Sequence, residues 1–267
     1  LNLSGYKNEL TELHSVAYLG IPSSSLHSVN FDQEISRSTV GQPIASFFGY
    51  EADGLFKSQQ EVNDYALQPD AQPGDIRFKD INNDGVINDE DRTYIGSPHP
   101  DVVLGLNVKL NYKNFDLGMF FNGSFGNDIY NLTKYKTQFF NQSAYNKDSS
   151  LLGAWTPENP NSNIPRLSLD DANNNIRPSS YYIENGSYLK LNNLQLGYTL
   201  PDNVLRDVTL RLYAQASNVF TITDYSGMTP EIGLQNYSSN SRNLDIGVDR
   251  GIYPPSRTFV FGFNLNF

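Results

Sequence analysis

Cysteine is absent from the 267 residues, which excludes disulfide frameworks and thiolate metal centres while naming no cellular compartment. Long hydrophobic runs are absent as well. No apolar stretch approaches the roughly 18–20 residues that a membrane helix needs, so a helical membrane protein is excluded. Positive charge is scarce and scattered: 19 Lys and Arg stand against 29 Asp and Glu, for a net charge of -10. No basic stripe is available for nucleic acid. Residues 1–10 lack both Met and a basic n-region, so no secretory signal is legible, and an envelope protein starting this way is expected to be a processed chain or a fragment.

What remains is aromatic and turn-rich. The chain holds 17 Tyr, 16 Phe and 20 Gly, without Leu-rich helical stretches, a composition that leans towards strands and turns. Its apolar share, 38%, is low for a compact soluble fold. The closing segment "RTFVFGFNLNF" shows how those apolar residues are used. Phe259, Phe261, Phe263, Leu265 and Phe267 share one face, and Val260, Gly262, Asn264 and Asn266 share the other. "VVLGLNVKLNY" alternates in the same way, turns at Lys113-Asn114, and resumes from Phe115 as a hairpin. "SYLKLNNLQLGYTLP" slips phase at Asn192-Asn193, where a bulge would place an extra residue, and "VTLRLYAQASNVF" follows after a short turn at 201–207.

With less regular candidates at residues 1–6 and 40–50, this makes about seven strands, near the 9–11 residues that a tilted strand needs to cross a bilayer. Tight turns alternate with long polar connections at 51–100, 127–186 and 221–255, the pattern of an outer-membrane barrel. The connection at 12–39 is a misfit, because it should lie on the short side. Counted back from a last strand running inward, the first strand also runs inward. A complete barrel has an even count, so an odd one predicts the tail of a longer barrel. A soluble sandwich would carry many charges on its outward faces, whereas these carry mostly Gly, Asn, Ser, Thr and Gln, which suits a hydrated lumen.

The wording of several segments is more specific than their pattern. "VGQPIASFFGYEADGLF", "QPGDIRFKDINNDGVINDEDRTYIGSPHPDVVLGLNVKLNYKNFDL", "FNGSFGNDIYN", "AQASNVFTITDYSGMTPE" and "GVDRGIYPPSRTFVFGFNLNF" resemble, in order, segments of the SusC/RagA family of TonB-dependent outer-membrane transporters. The resemblance covers most of residues 1–267 and is poorest around 146–178. It implies an all-β fold, an antiparallel transmembrane β-barrel of about 22 strands closed by a plug, of which this chain supplies the C-terminal portion. The plug, the TonB-contacting segment and the earlier strands would precede Leu1. It further implies TonB-energised nutrient import across the outer membrane of a Gram-negative bacterium, of a glycan first and a peptide as the alternative. The implied partners are a SusD-like surface lipoprotein, the TonB complex and the barrel-insertion machinery, which would read Phe259, Phe261, Phe263, Leu265 and Phe267.

One loop carries explicit chemistry. "DINNDGVINDED" follows the calcium-loop spacing, with Asp80, Asn82 and Asp84 at positions 1, 3 and 5, Gly85 at the sharp turn, Val86 offering a carbonyl, Asn88 at 9 and Asp91 at 12. Hard oxygen donors at this spacing suit Ca²⁺. Asp91 is shorter than the usual Glu and the flanks are not amphipathic helices, so the competing reading is an Asx-rich turn without metal.

Catalysis finds little support. His14, His27 and His99 sit in different loops without metal-ligand spacing, no G-x-S-x-G elbow occurs, and Asp170-Asp171 reads as solvated loop charge. Tyr130, Tyr135, Phe139, Phe140, Tyr145, Trp155, Tyr181 and Tyr182 crowd one long connection, where they would stack on sugar rings, dock a lid, or pack on one another. Two further function classes remain open at this point: a soluble calcium-stiffened adhesive or structural β-domain, and a passive porin without a plug.

Overall fold

The computed structural model describes residues 1–20, 34–140, 146–201, 208–233, 244 and 246–267. Its largest sheet has six strands, each antiparallel to its neighbours and placed in chain order. They are β1 (Asn2–Ser4), β2 (Val102–Tyr112), β3 (Phe115–Phe125), β4 (Tyr188–Thr199), β5 (Thr209–Thr223) and β6 (Thr258–Asn266). The structure is mostly antiparallel β-sheet, and β2 to β6, at 9–15 residues each, are of membrane-spanning length.

Register turns the alternation of each strand into continuous rows. Leu110, Leu117, Leu196, Ala214 and Phe261 stand opposite one another from β2 to β6. One residue along, Asn111, Asp116, Gly197, Tyr213 and Gly262 form the polar row on the other face. The expected bulge lies between Leu191 and Asn193, and it shifts the register against β3 and β5 alike. None of the described residues covers the apolar end of this wall: Phe261 is 80% and Phe267 95% exposed.

The polar face explains two of its glycines. Arg211 on β5 grips Asp116 on β3 through Nε–Oδ1 at 2.8 Å and Nη2–Oδ2 at 2.5 Å. That bridge passes over Gly197 of β4, where a Cβ would lie 2.3 Å from Asp116 Oδ1 and 2.4 Å from Arg211 Nη2. On the next strand pair the Tyr213 ring lies over Gly262, leaving 2.6 Å for a Cβ. At Gly197 and Gly262 a long neighbour thus lies flat across the wall.

Residues 40–50 do not join the wall. Gly41 and Ala45 hold positive φ of 86° and 59°, which breaks the extended run. Ser46–Tyr50 then pairs with Arg92–Gly96 and Ser36–Ser38 in a separate four-stranded sheet. All five of its residues are buried, so it has no lipid-facing side. The wall therefore has six strands among the described residues, β1 runs opposite to the direction expected of the first strand, and the odd-count argument lapses. Residues 5–101 form one long connection on the same side as those between β3 and β4 and between β5 and β6. The misfit at 12–39 disappears with it. Residues 202–207, most of the expected turn before β5, lie outside the described residues.

These long connections are more than polar loops. They hold the only extensive dry core among the described residues: Ile35, Phe47, Ile76, Phe78, Tyr130 and Val248 are each fully buried. Three small sheets, formed by Leu19–Gly20, Ser36–Ser38, Ser46–Tyr50 and Arg92–Gly96, by Ala52–Leu55 and Ile76–Phe78, and by Asp128–Asn131, Ile183–Asn185 and Val248–Asp249, frame it. Gly197→Val in the full-length protein is expected to displace the Asp116–Arg211 bridge at a cost of about 1–3 kcal/mol. Heat-modifiable gel mobility would show it as a lower unfolding temperature, and unchanged mobility would refute the packing described.

Candidate functional site

The loop at 80–91 is closed by its own side chains. Asp80 accepts from Asp84 N at 3.2 Å and Gly85 N at 2.8 Å, and Asn82 Oδ1 accepts from Asp84 N at 3.0 Å. Asp84 Oδ1 accepts from Val86 N at 2.8 Å, a bond that leads the causes holding its carboxyl below the usual range. Oxygens of Asp80, Asn82 and Asp84 thus converge on one exposed turn. Gly85, with φ of 84°, is the residue that lets the turn close. Ile87 is 4% exposed and anchors the loop in the core.

Asp91 does something other than the expected closing ligation. It is fully buried, and its two carboxylate oxygens accept from Ile81 N and Asn88 N, each at 2.8 Å. Asn88 answers by accepting from Glu90 N at 2.8 Å, a capping box on the single turn Asp89–Asp91. Asp91 is therefore a staple between the two ends of the loop. Among the described residues no set of three or more His, Asp or Glu side chains is gathered as for a metal ion.

The aromatic nominations need a larger correction. Tyr130, Tyr135 and Tyr182 are fully buried and Phe139 is nearly so, which removes them from any ligand or lid surface. Tyr130 stacks on Tyr182 at 5.4 Å between centroids, and Tyr181 and Phe139 meet Tyr182 edge-on or tilted. Tyr181 donates from its hydroxyl to Gln138 Oε1 at 2.7 Å. Trp155 is half-buried over Gly74, and Phe140 is half-buried beneath the Lys147 ammonium. Aromatic crowding in this connection marks a core, since large rings bury the most area per side chain. His27 and Tyr145 lie outside the described residues. His14 is exposed, whereas His99 is held between the Tyr6 hydroxyl at 3.1 Å and the Ile44 carbonyl at 2.8 Å.

Charged groups missed at the sequence level hold the connections together. Asp75, fully buried, binds Arg166 through Nε–Oδ1 at 2.7 Å and accepts from Asn175 Nδ2 at 3.1 Å. Asp171 is 7% exposed rather than solvated, and accepts from Asn175 N, Asn175 Nδ2 and Ile176 N. Burial pushes its carboxyl up, against the pull of those hydrogen bonds. Glu184 is the hub between the second and third connections. It takes Lys134 Nζ and Asn131 Nδ2 at 2.9 Å, and Ser226 N and Oγ at 2.8 Å. Burial opposes its ionisation, but the Lys134 ammonium and these donors together hold its pKa below the usual carboxylate value.

Comparisons with known proteins place this architecture. No protein-family model matches the chain. TonB-dependent receptor P3 of Formosa agariphila is 37% identical over 270 residues, covering all of this chain and 26% of the receptor. TonB-dependent receptor P26 of the same organism is 32% identical over the whole chain, and TonB-dependent receptor SusC of Bacteroides thetaiotaomicron is 27% identical. The chain spans about a quarter of the length of these curated relatives. Among solved structures, the RagAB peptide transporter superposes with a TM-score of 0.70 at 24% identity, over 97% of this chain and 25% of that one.

Glu184 has a depressed pKa, so the stability it adds is present above the unfolded carboxylate pKa and is lost as pH falls through its folded value. Hydrogen exchange at Asn131 and Ser226 is expected to rise on acidification below about pH 4. In Glu184→Gln it should be high at neutral pH and lose that acid step; an unchanged step would assign it to another group.

Proposed function

Because this chain belongs to the TonB-dependent receptors of the SusC/RagA kind, we propose that it forms part of the wall of a plugged outer-membrane barrel that imports a nutrient on energy delivered through TonB. The observation that carries this reading is the two-faced sheet. One face presents continuous apolar rows that no described residue covers at the β6 end, and the other presents an Asn-, Gly- and Thr-rich surface suited to a hydrated lumen. A soluble domain would leave Phe259, Phe261, Phe263 and Phe267, each at least 63% exposed, as a greasy patch in water. The relatives are named receptors, which supports a transporter rather than an enzyme.

The finer reading follows the same resemblance. The cargo is a glycan before a peptide, and the neighbours titled as peptide transporters support the fold alone at their 23–24% identity. A SusD-like lipoprotein would cap the outer connections, the TonB complex would act through the rest of the receptor, and the insertion machinery would read β6. The setting is the outer membrane of a Gram-negative bacterium. In the loop at 80–91, Asp80, Asn82, Asp84 and the Val86 carbonyl would hold Ca²⁺, with Asn88 acting through water and Asp91 fastening the ends. The donor set fits a hard cation, and an affinity near 10⁻⁴–10⁻³ M would suit an extracellular module.

Three outcomes test these readings. Whole cells should take up labelled oligosaccharide and lose that uptake when TonB is deleted; uptake of peptide instead changes the cargo, and TonB-independent uptake points to a porin. Phe261→Asp in the full-length receptor should lower the folded, heat-modifiable fraction in the outer membrane, because it removes roughly 1.5–3 kcal/mol of burial in lipid and adds a charge. Phe261→Leu should restore it. Calcium titration of the intact receptor should release heat that Asp84→Ala abolishes, and equal heats from both would dismiss the ion.

A further inference from the structure

On the polar face of the wall, Lys190 of β4 is 3% exposed. It stands beside Thr221 of β5 and Asn122 of β3 in register, so its ammonium points into the lumen that the transport reading assigns to this face. Its cover is a strap, residues 227–233, which comes down from the third connection. Among the described residues the strap's one ion pair to the wall is Lys190 Nζ to Glu231 Oε2 at 2.5 Å, beside the buried Thr229 and Pro230. The strap is tightly turned: Glu231 N donates to Thr229 Oγ1, and Ile232 N to the Pro230 carbonyl.

Cavities flank the strap on both sides. One, of about 220 Å³, is lined by Lys190, Arg257, Thr221, Thr223, Thr229 and Glu231 among others. The other, of about 510 Å³, shares Pro230 and Glu231 with it and continues along β4 to Tyr188. The smaller one is unusual for this chain. In a sequence where acids outnumber bases 29 to 19, its lining holds two cations, several hydroxyls and a single carboxylate. Arg257 donates from Nε to the Asn218 carbonyl at 3.4 Å and joins no salt bridge among the described residues.

We propose that this cavity is a binding site for an oxyanion, a carboxylate or sulfate group on the transported ligand, and that Glu231 is its built-in competitor. Lifting the strap with nothing in its place breaks the Lys190–Glu231 pair and leaves the ammonium in the lumen without a counter-charge. An incoming oxyanion keeps Lys190 paired while it displaces Glu231, so the exchange conserves the charge pair. Arg257 and the hydroxyls of Thr221 and Thr229 add donors that Glu231 does not use, while the Thr223 hydroxyl is already given to the Ser187 carbonyl at 2.9 Å. A neutral ligand offers no such exchange. Displacement of the strap joins the two cavities into one groove along β4, coupling recognition of the anion to access along the wall.

The test uses the full-length receptor in detergent. Hydrogen exchange of residues 227–233 is measured in sodium sulfate, sodium acetate and sodium chloride at equal ionic strength. Sulfate, acetate or both should speed exchange about tenfold over chloride, and the arm that responds separates a sulfate ester from a carboxylate. Glu231→Gln should exchange fast in all three salts and bind sulfate at least about tenfold more tightly than the parent. Lys190→Met should lose the oxyanion response. Equal exchange in all three salts, a response that survives Lys190→Met, or no gain in sulfate affinity in Glu231→Gln overturns the proposal. Heat-modifiable mobility of each variant reports the barrel separately: a wild-type protein without it refutes the lumen, whereas a folded barrel with a silent strap refutes only the anion site.

Discussion

Backbone pairing between neighbouring strands is the constraint from which the rest of this structure follows. Inside a bilayer no water can satisfy an amide, so every N–H and C=O of a spanning strand must find its partner on the next strand. Once that ladder is set, the period of two leaves no freedom: a slip of one residue would turn Leu110, Leu117, Leu196 and Phe261 inward and Asp116 outward. The bulge at Leu191–Asn193 shows how strictly this holds. Against β3 the extra residue lies on β4, against β5 it lies on β5, where Asn218 takes a positive φ of 54°, and each neighbour keeps its apolar row on one side.

A wall with lipid on one side and water on the other has no interior of its own. The dry core must therefore be built elsewhere, and here it is built in the connections. Phe47, Phe78, Tyr130 and Tyr182 supply its bulk, while buried polar groups decide which segments meet. Asp75 draws in Arg166 and Asn175 from about a hundred residues away. Glu184 joins Lys134 and Asn131 to Ser226. Each is a charge whose unpaired burial would be costly, so each specifies its partner as well as holding it. The connections become a framework fixed over one end of the wall.

The sequence was legible where structure is local. The β2–β3 hairpin, the bulge and the two faces of β6 follow from alternation and turn residues alone. Residues 40–50 misled because "SFFGY" is as aromatic as a lipid-facing strand, and the left-handed backbone at Ala45 has no signature in its side chain. The aromatics around 130–182 have the same composition whether they line a surface or fill a core; only long-range packing separates the two. Asp91 and Asp171 misled for a related reason. A carboxylate that caps nearby amides reads like one that binds metal or water, and its burial depends on elements far along the chain. Lys190 alternates with Leu189 and Leu191 onto the polar face, but its partner is 41 residues away in another connection and has no local signal.

The two ion pairs on the polar face are chemically alike and mechanically different. Asp116 and Arg211 sit on strands whose separation the ladder fixes, with a glycine between them to make room. Parting them requires the sheet itself to yield, so that pair can serve only as a brace. Lys190 is held by the same ladder, but Glu231 belongs to a strap bounded by Gly227 and Gly233 and stiffened internally by Pro230. Parting this pair costs no strand pairing. A device that opens within a rigid wall has to be built at such a junction, between a charge the sheet cannot move and a charge it does not hold.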